Sequence, residues 1–204
     1  MQAKAEKLSR FIPAGSRVAF MEEQPVHEAE LVLALIRLQV TVVPIALKYG
    51  EQRALQILEH TQPEFLYTGS ASLISEACLQ ACIRTGTTII ADQTICLHGS
   101  TSSLTSRHTS VGTMRSSMIM YTSGSTGKPK GAVLPYESIE ANIRDIQTYW
   151  DIHEQDHLLI HRSLSHASVM TGELLHGVIS GSRLTFYQEV FLPRRMLSFM
   201  ERRG

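Results

Sequence analysis

The chain reads as an α/β protein built on a mostly parallel sheet. Short β-branched or aliphatic runs recur from residue 17 to residue 187, and helix-patterned stretches, most of ten or more residues, separate them. Connections of that length are too long for hairpins and suit the crossovers of βαβ units, so the sheet is expected to be covered on both faces. Size and composition agree: 204 residues with 43% hydrophobic and 19% charged residues are ordinary for a globular chain that buries roughly 70% of its unfolded surface.

Residues 17–20 (Arg-Val-Ala-Phe) make the first strand. Residues 27–38 make a helix, with Leu31, Leu35 and Leu38 on one stripe. The β-branched run at 41–45 is a strand. Residues 50–59 form a second helix with Leu55 and Leu58 inward, and 65–68 a third strand. Residues 70–84 form a helix with Ser70 or Ser72 as N-cap, followed by a strand at 87–91. Composition then changes: eleven of the nineteen residues from 99 to 117 are Ser or Thr, the signature of a long loop. It leads into an apolar strand at 118–120, and 130–134 reads as a further short strand. A helix follows, with Ile139, Ile143, Ile146 and Trp150 on one face. Next come a strand at 157–160, a helix over 169–179, Gly181 just past its end, and a strand at 183–187. Pro193 opens the last helix.

Formal net charge is zero, so composition points to neither nucleic acid nor an anionic membrane surface as partner. The first residues are polar and helix-prone, unlike a secretory leader. The longest hydrophobic stretch, 31–43, is interrupted by Arg37 and Gln39 and is too short to span a bilayer. The expectation is a cytoplasmic protein without membrane association. Three cysteines suggest no disulfide framework, and Cys78, Cys82 and Cys96 read as small buried thiols. His153, His157, His161 and His166 are spaced for a helix face but fall in a turn and a strand, so no metal site is assigned.

The chemistry concentrates in residues 121–131, Tyr-Thr-Ser-Gly-Ser-Thr-Gly-Lys-Pro-Lys-Gly. Thr122, Ser123, Ser125 and Thr126 supply hydroxyls, Gly124 and Gly127 permit positive φ and close backbone approach, and Lys128 and Lys130 supply charge. Consecutive N–H groups in such a turn make an anion-binding concavity. A Walker A loop is excluded, because Lys128 is followed by Pro129, which favours extended chain before it. The unit is therefore strand, phosphate loop, strand, with Lys128 and Lys130 able to reach one side. Lacking a helix behind it, the loop at 123–128 is expected to order on binding an anion.

In its fixed order, residues 119–130 resemble the signature loop of the adenylate-forming (AMP-binding) superfamily, which contains acyl-CoA synthetases, peptide-synthetase adenylation domains and luciferases. Residues 16–20, residues 33–49 with Pro44, Leu164-Ser165-His166 and Ser180-Gly181-Ser182-Arg183 are similar to further blocks of that family. Ser163, where the family usually has proline, and Tyr136, often histidine, depart from it.

The resemblance implies a layered αβαβα lobe and an enzyme that activates a carboxylic acid with ATP and Mg²⁺ as an acyl-adenylate. The acyl group then passes to the thiol of CoA or of a phosphopantetheine-bearing acyl or peptidyl carrier protein. It implies that Thr122, Ser123, Ser125 and Thr126 donate to the β- and γ-phosphates, Lys128 and Lys130 neutralise them, and His166 lies near the acid. The other reading of His166 is a partly buried structural histidine. The family's Tyr-Gly-x-Thr-Glu and Thr-Gly-Asp segments and its small C-terminal domain have no counterpart here. Residues 1–204 are accordingly expected to be the first αβ lobe of the large domain, inactive alone and prone to self-association through an uncovered apolar face. The alternative is a stand-alone, non-catalytic nucleotide-binding or interaction module.

Overall fold

The structure is a computed structural model that describes residues 2–91, 94–96, 116–122, 130–188 and 192–202. It divides into two compact units, Met1–Tyr136 and Glu137–Gly204.

The first unit opens with α1 (Gln2–Ser9), β1 (Arg17–Met21), α2 (Pro25–Arg37) and β2 (Thr41–Pro44). It continues with α3 (Glu51–Thr61), β3 (Phe65–Thr68), α4 (Glu76–Thr85), β4 (Thr88–Ala91) and β5 (Thr94–Cys96). It closes with β6 (Ser117–Thr122) and β7 (Lys130–Pro135). The seven strands lie in the order β5-β4-β3-β1-β2-β6-β7. Strands β4, β3, β1, β2 and β6 are parallel, and β5 and β7 close the edges antiparallel. The expected mostly parallel α/β sheet is therefore present.

Crossover handedness explains where the helices lie. From β1 the chain steps one way to β2, then back across β1 to β3 and on to β4. Right-handed crossovers place α2 on one face and α3 and α4 on the other. Ala19, Met21, Val43, Ile45, Leu66, Ile89 and Ile119 form one cluster with Ala54, Ile57 and Leu58 of α3 and Cys78 and Cys82 of α4. The intervening residues Val18, Phe20, Val42 and Ile90 turn to the opposite face by the two-residue strand period. On that face Lys4 of α1 stands over the Tyr67 ring, 5.9 Å from its centroid. With both faces covered, β2 and β3 are buried at every residue.

The second unit comprises α5 (Tyr136–Gln147, its first residue belonging to the first unit), β8 (His157–Ile160), α6 (Ala167–Val169), α7 (His176–Ile179), β9 (Arg183–Phe186) and α8 (Pro193–Glu201). A π-helical turn, Met170–Leu175, joins α6 to α7. Strands β8 and β9 pair in parallel as a separate two-stranded sheet. Gly177 of α7 permits their close approach, since a Cβ there would stand 2.6 Å from Leu184 Cδ2 and 2.8 Å from Leu158 Cδ1.

Several expectations need correction. The helix expected over 70–84 is split: Ser70 caps a 3₁₀ turn at Ala71–Leu73, and α4 starts later, with Ser75 Oγ accepting from the Cys78 amide at 3.3 Å. Helix α2 begins two residues early because Pro25 suits the first helical position. Leu55 is only partly buried, Ala54, Ile57 and Leu58 forming the inward stripe. Trp150 lies beyond the end of α5, and its ring meets His176 edge-on at 6.0 Å. Strand β5 carried no turn signal strong enough to announce it. Most of the Ser/Thr-rich segment 99–117 lies outside the described residues, and Ser117 is the first residue of β6. Cys78 and Cys82 are free and buried, as expected, and burial pushes both thiols up, Cys82 to about 12. Among the described residues no helix is long and apolar enough to cross a membrane.

A carboxylate in the turn after β1, Glu22, acts on a second one, Glu28 of α2. Glu22 accepts from the amides of Glu23 and Gln24 at 2.9 and 3.0 Å and rests against Gly69, where a Cβ would meet its Oε2 at 2.3 Å. Burial, reinforced by the Glu22 charge and opposed by Lys48, pushes Glu28 up to about 7.

Two predictions follow from these elements. Ser75→Ala should cost ~1 kcal/mol in urea denaturation, whereas Ser72→Ala should stay within ~0.5 kcal/mol. The Glu28 carboxyl holds its proton more tightly folded than unfolded, so its stabilising contribution is complete below pH 4.5 and lost as pH rises through about 7. Glu28→Gln should therefore raise the urea midpoint at pH 8 and leave it nearly unchanged at pH 4. A gain of equal size at both pH values would contradict this.

Candidate functional site

The strand–loop–strand unit expected from the sequence is built on β6 and β7. Strand β6 runs parallel to β1–β4, so its last residue, Thr122, lies at the carboxyl edge of the parallel strands. That edge is where open α/β sheets bind ligands. The chain returns antiparallel as β7, and the ladder ends with Thr122 opposite Lys130. Cross-strand partners share a face, so the Thr122 and Lys130 side chains leave the hairpin on one side, both residues exposed, where the seven-residue connection begins and ends. The expected phosphate donors Ser123, Gly124, Ser125, Thr126, Gly127 and Lys128 lie outside the described residues.

One step inward, Tyr121 stands opposite Gly131. A Cβ on Gly131 would come within 3.1 Å of Tyr121 Cζ and of Ile119 Cγ2. The glycine leaves space for the tyrosine ring, which accounts for Gly131 closing the motif. The Tyr121 hydroxyl lies 2.7 Å from His60 Nδ1, with the rings edge-on at 5.9 Å. Burial pushes the phenol up, against the lowering influence of Arg17 and Arg53, so Tyr121 meets His60 as a neutral hydroxyl. Arg53 Nη2 donates to the Thr122 carbonyl at 2.6 Å. Sequence reading singled out neither Arg53 nor His60. The available signal was their spacing: seven residues, two helical turns, beside the Ala54, Ile57 and Leu58 stripe.

At the other end of the hairpin, Ser117 Oγ lies 3.3 Å from Thr41 Oγ1, a buried cross-strand contact of β6 with β2. Tyr136, a departure from the family pattern, donates to the Val40 carbonyl at 2.8 Å, and burial holds its phenol far above the usual range. It ties the residue after β7 to the segment entering β2.

His166 lies in the second unit. It is exposed and sits at the N-cap of α6, where its carbonyl accepts from Val169 and Met170. The residue is thus more exposed than the partly buried histidine of the other reading. Ser163, the other departure, fills its place with a local turn: its hydroxyl lies 2.9 Å from Ser165 Oγ and accepts from the Ser165 amide. His153 pairs with Asp151 at 3.1 Å and His157 with Thr185 at 2.7 Å, so these two rings serve separate partners.

The site thus offers a hydroxyl-bearing and an ammonium-bearing residue on one face, with an arginine anchored to the strand end behind them. The sequence profile of the AMP-binding enzyme family matches residues 2–204. The chain is 27% identical over 193 residues to tyrocidine synthase 1 of Brevibacillus parabrevis, covering 90% of this chain and 17% of that protein. Its fold is similar to that of ATP-bound MatB from Rhodopseudomonas palustris, with TM-score 0.74, 20% identity, and coverage of 97% of this chain and 40% of that one. It is also similar to O-succinylbenzoate coenzyme A synthetase (MenE) from Bacillus subtilis in complex with ATP and magnesium, with TM-score 0.73, 22% identity, and the same coverage. The chain spans under a fifth of the first relative and two fifths of each solved chain. A profile match over nearly every residue, on a fold that opens a Ser/Thr/Gly/Lys segment at the carboxyl edge of its sheet, makes this chain a member of the AMP-binding enzyme family.

Proposed function

We propose that this chain is the triphosphate-binding lobe of an ATP-dependent carboxylate ligase. The observation that carries this reading is the register of the β6–β7 hairpin. Thr122 and Lys130 face one another across seven residues rich in hydroxyls and glycine, at the edge where α/β sheets bind ligands. The donor set suits a polyphosphate: hydroxyls and backbone amides donate without charge, and lysines cancel charge without needing a fixed approach angle. Thr122, Ser123, Ser125 and Thr126 hold the β- and γ-phosphates, Gly124 and Gly127 let the main chain approach them, and Lys128 and Lys130 neutralise them. ATP brings Mg²⁺ with it.

Binding and orienting the triphosphate are the tasks of these residues, and in such chemistry positioning and charge stabilisation supply most of the rate. His166 is the residue we assign to the acid or its acyl chain. The acceptor is a thiol, of CoA or of a carrier protein's phosphopantetheine. The solved MenE is named a coenzyme A synthetase, which supports CoA as the acceptor. The identity of the acid is a property of residues outside the hairpin.

The 204-residue chain should bind magnesium pyrophosphate weakly and turn over little. A charge-assisted contact to phosphate is worth roughly 1.5–3 kcal/mol, so Lys130→Ala should weaken pyrophosphate binding by about tenfold or more in calorimetric titration. Unchanged affinity in Lys130→Ala and Lys128→Ala together would remove the phosphate assignment. Carboxylate-dependent ATP–pyrophosphate exchange by this chain, at rates ordinary for a whole enzyme, would contradict the proposal that it is one lobe of the active unit.

A further inference from the structure

Two residues of α3 reach the last two residues of β6. Arg53 and His60 are separated by seven positions, about 10 Å along the helix axis at 1.5 Å per residue, and lie on one face. Arg53 holds the main chain of Thr122 through its carbonyl, at 2.6 Å. His60 holds the side chain of Tyr121 through its hydroxyl, at 2.7 Å. Alternation directs the Tyr121 ring toward α3 and the Thr122 side chain to the opposite face. The helix therefore grips the strand end from behind while Thr122 stays exposed.

The Arg53 contact has two distinctive features. Its acceptor is a neutral carbonyl, and among the described residues its guanidinium forms no ion pair with a carboxylate. A charged donor on a carbonyl makes a stronger bond than a neutral one. A carbonyl whose direction is held also fixes the peptide plane to which it belongs, because that plane is rigid and trans. Thr122 is the last ladder residue before the connection to Lys130. The carbonyl that Arg53 holds belongs to the strand-end residue that faces Lys130 across the hairpin.

We propose that Arg53 is a positioning residue for Thr122, with His60 and Tyr121 as a second tie on the same strand end. Arg53 fixes the main chain of Thr122, and thereby the alignment of Thr122 with Lys130 on a bound polyphosphate. Its role is through the Thr122 carbonyl, not through contact with the ligand. This rests on the phosphate-binding reading of the hairpin.

The test uses the full chain and magnesium pyrophosphate, with calorimetric affinity and thermal midpoint measured on each variant. Arg53→Met keeps the packing of the aliphatic stem and removes the donor. It should weaken binding by about fivefold to tenfold with a thermal midpoint close to that of the unsubstituted chain. Arg53→Lys, which restores a charged donor of similar reach, should recover most of the affinity. A purely structural tie would lower the midpoint and leave affinity within twofold. If Arg53→Met binds like the unsubstituted chain while Lys130→Ala is impaired, the positioning role is wrong and the phosphate reading stands. If the unsubstituted chain binds no pyrophosphate, both fall. Should Arg53→Met fail to fold, Tyr121→Phe carries the test, since it removes the second tie and leaves the ring in place. A twofold to threefold loss of affinity supports the proposal, and affinity equal to that of the unsubstituted chain overturns it.

Discussion

The reversal of direction at β1 governs the first unit. The chain moves one way from β1 to β2 and the other way to β3 and β4, and right-handed crossovers can be kept only if α2 goes to one face and α3 and α4 to the other. Covering both faces lets β2 and β3 bury every residue, and hydrophobic burial of the sheet is the main stabilising term of the unit. The same reversal puts α3 on the face onto which the Tyr121 ring turns. The support of the candidate site is thus a consequence of handedness and needs no separate device.

The sheet then changes character at one edge. Strand β6 is parallel to the core strands and carries their apolar face, while β7 returns antiparallel and is largely exposed. An antiparallel return joins two strands without a helix. On the proposed reading, a phosphate bound there meets no helix N-terminus immediately after the connection and would depend on side chains and main-chain amides of the connecting sequence. That accounts for hydroxyls, glycines and two lysines in the connecting sequence, in contrast to a Walker loop, which leads into a helix. The crevice between the ends of β1 and β3 is the usual ligand position in doubly wound sheets. Here it holds the Glu22 carboxylate, bonded to the turn amides and packed against Gly69. A carboxylate in that place disfavours a second anion, which is consistent with an anion site at β6.

In the second unit, the helix from Ala167 to Ile179 is interrupted by a π turn. His176 follows it, fully buried, with neither ring nitrogen hydrogen-bonded among the described residues, and meets Trp150 edge-on. The departure at Ser163 costs little, because the serine hydroxyl closes a local turn that stiffens the chain just before His166.

Sequence by itself determined most of the element order. Strand and helix periodicity are local properties of side chains, and Val18, Val43, Leu66 and Ile90 announce buried strands wherever the chain places them. The family resemblance and the motif between β6 and β7 were legible for the same reason, since a signature motif is a contiguous run of residues. Helix starts were less legible: Ser70, Ser72 and Ser75 are equivalent cap candidates on paper, and only the bond from the Cys78 amide to Ser75 separates them. Pairing, register and the grip of α3 on β6 were decided by tertiary structure alone. Strands β8 and β9 look like further members of one sheet, yet they pair with each other, because pairing depends on which backbones meet in space. Arg53 and Thr122 lie 69 positions apart. No local pattern encodes a contact of that separation, and it exists only because the crossovers bring α3 to the end of β6.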